Sequence, residues 1–423
     1  MMRGMSEPSA RTSVTADVRM RGFVQRTPVA EVFRWLDEHV SALEPEYVDL
    51  HEAVGRILAE DIASPLDVPS FDRAMMDGYA LRGAATQGAS TYTPVKLRVL
   101  GEVTPGRAFD GELGSGEAVA IMTGAPLPSG ADAVLPAELA QGVGDELLVL
   151  GEVSPGSNVG VRGEDIAAGG TILASGRRLR PQDLGVLASV GLPQVPVVRQ
   201  PRVRIVVTGN ELIPAGSKPQ PFRVFDANGP MLKALVERDG GQVTLDGIVA
   251  DDPRQLLVPL QDPDADVVLV AGGSSVGAED HAPRLLAELG ELAIHGIAMR
   301  PGTPTGLGRI GGCLVVLLPG NPVACLCAYD LFAGRAIRAL GGRSRHWPYR
   351  SVRLPLRRQV QSALGRLDYV RVVIDDGEVE PITGVGAGGL SSTTRASGFV
   401  LVPEDCEFYP EGHEVEVHLY DAD

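Results

Sequence analysis

Apolar positions change their spacing as the chain proceeds, and each change marks a different kind of element. Val29, Val32, Phe33, Leu36, Val40 and Leu43 fall on one helical face. Thr27-Pro28 ahead of them predicts a helix start, with Thr27 as N-cap and Pro28 at the first helical position. A second helix is predicted over residues 50–62, followed by a loop over 64–78. From residue 94 to 161 short Val/Leu runs (95–103, 118–122 and 146–153) alternate with Gly/Pro/Ser turns about every ten residues, the spacing of a small all-β domain. A helical pattern returns over 181–190, so the β segment reads as an insertion into an N-terminal domain that resumes near Asp165.

Beyond Pro201 the strands become continuous. Val203-Arg204-Ile205-Val206-Val207, Val267-Val268-Leu269-Val270 and Leu314-Val315-Val316-Leu317-Leu318 are separated by helical stretches at 230–239, 281–289 and 323–340. Unbroken β-branched strands alternating with helices predict a doubly wound parallel sheet. After Arg345 short alternating strands (352–356, 367–374, 399–402 and 415–419) predict a terminal β-barrel or sandwich.

Each of the three apolar strands runs into a glycine-rich polar loop. The loops are Thr208-Gly209-Asn210-Glu211, Gly272-Gly273-Ser274-Ser275-Val276-Gly277 and Pro319-Gly320-Asn321-Pro322. Ligands of open α/β sheets bind at the carboxyl ends of the strands. Glycines there admit a ligand close to the backbone, and helix N-termini favour anions. Asp77, Asp165, Glu211, Asp251 and Asp280 stand in comparable loops. Their hard oxygens suit Mg²⁺ bridged to phosphate, or acid–base work.

Charge and composition narrow the ligand. A net charge of −16 over 423 residues disfavours nucleic acid or an anionic membrane as partner, so an anionic ligand needs local cations or a metal. No apolar run approaches membrane-spanning length. Cys313, Cys325, Cys327 and Cys406 stand in apolar settings without histidines at zinc spacing, which predicts buried thiols of a reducing, cytoplasmic protein. The arginine-rich first 26 residues lack the apolar stretch of a secretory signal and predict a disordered tail. Among the histidines only His281, beside Asp280, is singled out, as a helix-start residue.

Read in order, these segments resemble the molybdopterin molybdenumtransferase family, the MoeA and gephyrin E-domain type. The resemblance rests on Ser64-Pro65-Leu66-Asp67-Val68-Pro69, Met76-Asp77-Gly78-Tyr79-Ala80 and Ile121-Met122-Thr123-Gly124-Ala125-Pro126. It continues through Gly163-Glu164-Asp165-Ile166, Thr208-Gly209-Asn210-Glu211-Leu212, Asp251-Asp252-Pro253, the 272–277 loop and Leu318-Pro319-Gly320-Asn321-Pro322-Val323. It implies a multidomain fold. A tail over 1–23 precedes domain I (24–67 and 163–200), the inserted β domain II (68–162), a MogA-like α/β domain III (201–345) and a β-barrel domain IV (346–423).

The resemblance further implies Mg²⁺-dependent insertion of molybdate into adenylylated molybdopterin, with release of AMP. The site would lie in clefts shared across a homodimer, with a molybdopterin adenylyltransferase as a further partner. By family position Asp77, Asp165, Glu211, Asp251 and Asp280 are the catalytic candidates, the last three also as metal ligands. Thr123, Arg162, Gly272, Gly273, Ser274, Ser275, Pro319, Gly320, Asn321 and Pro322 would contact the substrate. Arg300, Arg371, Ser391 and Ser392 would bind molybdate.

The chain departs from the family pattern chiefly where cations are expected. Arg73-Ala74-Met75 replaces Asn-Ser-Ala, and Gly160 replaces an arginine. Pro283, Gly296 and Thr303 stand where lysines are usual, and Ala324 where a serine is. Arg162, two residues beyond Gly160 on an extended chain, shares its face and is expected to restore that charge. Two readings stay open: an active transferase with a remodelled anion pocket, and a catalytically impaired scaffold of the same fold.

Overall fold

The computed structural model describes residues 23, 25–275, 280–382 and 389–421. The expected tail, Phe23 apart, and Val276 and Gly277 of the second loop lie outside them. The chain divides into two compact units: Tyr47–Val197, and the stretches on either side of it.

In the flanking unit a six-stranded sheet runs in the order Gln242–Val249, Arg202–Thr208, Val267–Ala271, Cys313–Leu318, Gly306–Ile310, Glu291–His295. The first four strands are parallel, and the last two extend the sheet antiparallel. Alternate residues of the continuous apolar strands enter two separate cores. Val203, Ile205, Val207, Leu269 and Val316 pack with Leu232 and Val236 on one face, while Val206, Val268, Val270 and Val315 pack with Leu256, Leu285 and Leu286 on the other. Helices on both faces make the sheet doubly wound, as the strand pattern predicts.

The first helix, Val29–His39, buries Val29, Val32 and Leu36 in the first of these cores. Its N-cap is Pro28, without a side-chain cap. Thr27, predicted as the cap, instead pairs its backbone with Ile297. The predicted helix at 323–340 is a run of Pro322–Ala328, a π-helical turn Tyr329–Ala333 and Gly334–Leu340.

The C-terminal strands order as Met299–Arg300, Leu367–Asp375, Gly398–Val402, Glu414–Leu419, Ser351–Pro355, with Glu378–Pro381 pairing Leu367–Asp375. A bridge between Leu356 and Val379 joins the two ends and closes the barrel around Val372, Val400, Val402 and Val417. Asp330 ties barrel to helices: it accepts from Tyr349 Oη at 2.9 Å, Arg238 Nη2 at 3.1 Å and Tyr369 Oη at 3.2 Å. Burial pushes the Asp330 carboxyl above the usual carboxylate range, with Arg238 opposing it.

In the unit Tyr47–Val197 a second six-stranded sheet orders as Ala133–Pro136, Gly78–Leu81, Glu117–Ile121, Val95–Val103, Glu146–Val149, Ala140–Val143. The segments before and after it share their own core, in which Ala53 and Leu58 meet Leu173, Leu187 and Val197. The second sheet thus lies in sequence between two segments that pack on each other. The helix expected over 50–62 is not formed. Only Leu50–Glu52 turns, as a 3-10 helix, after which Gly55 takes φ +78° and Leu58 pairs with Val197. Among the described residues no helix is long and apolar enough to cross a membrane.

Candidate functional site

The parallel strands finish level with one another, because Val207 pairs with Ala271 and Ala271 with Leu318. The loop beginning at Gly272 therefore starts against its neighbours. Gly272 has φ +101°, and a Cβ there would lie 2.2 Å from the Thr208 carbonyl oxygen. Its amide and the Ser274 hydroxyl both donate to the Leu318 carbonyl, at 3.1 and 3.0 Å. Gly272→Ala is accordingly expected to cost about 2–3 kcal/mol, through the clash and the left-handed backbone. Denaturant unfolding measures it, and a change under about 0.5 kcal/mol, the size of an ordinary surface substitution, would show that the close approach is not needed.

A cavity of about 640 Å³ opens at these strand ends. It brings together the predicted Glu211, Asp251 and Asp280, the 272–275 backbone, and Pro319 to Pro322. Asp251 is built in firmly: Thr208 Oγ1 donates to it at 2.5 Å and the Asn210 amide at 3.0 Å. Asp226 and Asn228 also line the cavity and were missed in the sequence. The Asn228 amide nitrogen donates to the Gly320 carbonyl at 2.8 Å, and Asp226 accepts from the Gly229 amide at 3.0 Å. Asp226 stands two positions before the helix Asn228–Asp239 and accepts from the amide of its second residue, so an acidic residue just ahead of a helix start was the available signal.

Among the described residues no three His, Cys, Asp or Glu side chains gather closely enough to hold a metal ion. Glu211, Asp251 and Asp280 share a cavity without forming a cage. Hard oxygen donors in that arrangement still fit Mg²⁺, which takes one or two carboxylates and completes its shell with water and substrate phosphates.

A second cavity, also about 640 Å³, adjoins the first, with Pro304, Pro319 and Asn321 common to both. Arg300, Thr303 and Arg371 line it. Arg300 arrives there because the Met299–Arg300 strand pairs with Leu367–Asp368 of the barrel. Arg371 is 8% exposed, and its Nη1 donates to Ser392 Oγ, which in turn donates to the Gly389 carbonyl at 2.5 Å. Asp368, the carboxylate on this wall, is held by Arg366 at 2.8 and 3.2 Å. Ser391 is exposed beside Ser392 and is not part of the lining.

Behind the 272–275 loop stands His295, whose Nε2 lies 2.9 Å from the Ser274 carbonyl oxygen. Burial lowers its pKa below the ordinary histidine value, against the pull of the Ser274 carbonyl and Asp280. No local pattern distinguishes it from the other histidines of the chain.

Asp77, Thr123, Arg162 and Asp165 belong to the unit Tyr47–Val197. Asp77 Oδ1 accepts from the Thr123 amide at 2.7 Å and its hydroxyl at 2.8 Å. These bonds, the backbone one foremost, lower the Asp77 pKa. Asp165 is exposed, with its amide donating to the Val68 carbonyl at 3.1 Å. Arg162, expected to supply the charge missing at Gly160, is committed to Asp67, Nε to Oδ2 at 2.6 Å. A Cβ at Gly160 would meet Glu164 Oε1 and Met75 Sδ at 2.9 Å and Arg73 Cγ at 3.4 Å. Arg73 is the residue directly opposite Gly160 in the strand pair, so a different arginine stands across from that position.

Three family models match in sequence order. They describe the MoeA N-terminal region (domain I and II) over residues 27–191, a probable molybdopterin binding domain over 204–339, and the MoeA C-terminal region (domain IV) over 353–420. Molybdopterin molybdenumtransferase 2 of Mycobacterium tuberculosis is 34% identical over 400 residues, 92% of this chain and 98% of its own. The molybdopterin molybdenumtransferase of Staphylococcus aureus is 30% identical over 403 residues, 94% of this chain and 96% of its own. Two solved structures of the molybdopterin biosynthesis MoeA protein from Pyrococcus horikoshii superpose with TM-scores of 0.81 and 0.73, at 36% and 33% identity. Each covers 94% of this chain and 100% of its own.

Proposed function

Since this chain belongs to the MoeA family of molybdopterin molybdenumtransferases, and so to molybdenum cofactor biosynthesis, we propose that it inserts molybdate into adenylylated molybdopterin and releases AMP. The observation that carries this reading is the pair of adjoining cavities. One offers glycine-rich strand ends and carboxylates, and the other Arg300 and Arg371. The first suits a phosphoanhydride approached by backbone N–H groups. The second suits a small oxyanion, because guanidinium forks match tetrahedral oxyanions.

In this reading the 272–275 loop and the Pro319–Pro322 turn bind and orient the nucleotide portion. Arg371, its guanidinium fixed by Ser392, and Arg300 hold molybdate beside it. Glu211 and Asp280, assisted by Asp251, would hold Mg²⁺, which neutralises phosphate charge when bound. Asp77 and Thr123 act from a second copy of the chain, so that each cleft of a homodimer is shared, with Arg73 as the cation opposite Gly160. The four-domain division, a cytoplasmic location and supply of substrate by a molybdopterin adenylyltransferase complete the proposal.

Molybdate-dependent AMP release tests it. Arg300→Ala is expected to raise the molybdate concentration for half-maximal release by about tenfold or more, the worth of one charge-assisted contact. Thr303→Lys is expected to lower it by restoring a cation on the same wall. Flat responses in the unsubstituted protein and both variants would sink the transferase reading in favour of the scaffold.

A further inference from the structure

We propose that His295 is a positioning residue for the nucleotide-binding loop, holding the Ser274 carbonyl so that the Gly273–Ser275 backbone faces the ligand. The inference rests on the reading of that cavity as the nucleotide site.

Three contacts fix the loop. The Gly272 amide and Ser274 hydroxyl bind the Leu318 carbonyl from the neighbouring parallel strand. His295, two strands beyond Leu318 in the same sheet, binds the Ser274 carbonyl at 2.9 Å. A carbonyl oxygen only accepts, so Nε2 carries the proton, and the hydrogen bond sets the tautomer.

Ser274 is 2% exposed, which leaves its carbonyl dependent on a protein donor. The imidazole is itself held: Phe23 meets its ring edge-on at a centroid distance of 5.0 Å. It also reaches the loop from an antiparallel strand, Glu291–His295, none of whose residues lines the cavity. That strand therefore acts through His295, by orienting the loop that touches the ligand. The role is one of geometry and requires no proton transfer.

The test uses the full chain with His295→Leu, which cannot donate, and His295→Gln, whose amide N–H can. AMP serves as probe in calorimetric titrations, alongside KM and kcat for AMP release and the melting temperature. The Leu variant is expected to bind AMP about tenfold more weakly and to raise KM to match, with kcat changed less than threefold. The Gln variant is expected to stay within about threefold of the unsubstituted protein. If the Leu variant does not fold, His295→Asn, too short to reach the Ser274 oxygen, takes its place with the same expectation.

Unchanged AMP affinity in the Leu or Asn variant would overturn the proposal while leaving the cavity's assignment intact. A Gln variant as weak as the Leu variant would also overturn it, since packing against Phe23 rather than the hydrogen bond would then be what matters. Failure of the unsubstituted protein to bind AMP would remove the assignment itself, and this inference with it.

Discussion

Asp280→Asn is expected to reduce AMP release by a factor of about 100 or more, while the protein melts within a degree or two of the unsubstituted chain. The substitution keeps the size and shape of the side chain and removes only its charge. Asp280 stands in the wall of the strand-end cavity with Glu211 and Asp251, where the nucleotide phosphates are proposed to lie. A carboxylate kept for structure reports its loss as instability, because burying a polar group without its partner costs stability. One kept for chemistry reports it in turnover. Single-turnover AMP release and scanning calorimetry on the same preparation separate the two. Normal turnover would take Asp280 out of the mechanism, and a large drop in melting temperature would reassign it as a structural carboxylate.

The second large effect is a recovery. Asp77→Ala and Asp280→Ala chains are each expected to be inactive as homodimers, yet active when mixed. In a mixed two-fold dimer with shared clefts, one cleft carries both substitutions and the other carries neither. Each mixed dimer thus regains about half the activity, and random mixing gives about a quarter overall. Asp77→Ala acts on its own surface by releasing both Thr123 donors from the carboxylate. If mixed dimers form and stay inactive, the cleft is not shared between copies. A monomer in light scattering would refute the arrangement sooner.

The parts of the fold legible in the sequence were those where burial alone sets the pattern. Strands such as Val267–Ala271, buried along their whole length, read as continuous apolar runs, and the loops that follow them line the cavity. The antiparallel pair Glu291–His295 and Gly306–Ile310 was missed because its sequence answers to close approach rather than to burial. A Cβ on Gly308 would lie 1.9 Å from the Glu291 carbonyl, so glycine interrupts the strand pattern where the strands touch. The edge strand Gln242–Val249 is half exposed and mixes polar with apolar residues for that reason.

Site residues divide in the same way. Glu211 and Asp251 could be placed at strand ends, but whether three carboxylates meet in a cage depends on loop geometry that spacing does not encode. Arg162 looked available until Asp67, 95 positions away, proved to be its partner. His295 carried no local signal, since its importance lies in a carbonyl 21 residues earlier.

The packing of the first helix has a consequence for synthesis. Val29, Val32 and Leu36 share a core with Phe332, Ile337 and Leu340, so this helix is buried by a helical run translated about 300 residues later. At roughly 5–20 residues per second, about 15–60 s of translation separates His39 from Leu340. Throughout that interval the apolar stripe stays exposed on the nascent chain. Tyr47–Val197, contiguous in sequence, can meanwhile complete its own cores. The apolar face of this helix therefore waits for its partner through most of the synthesis of the domain, and for that time it is open to a ribosome-associated chaperone.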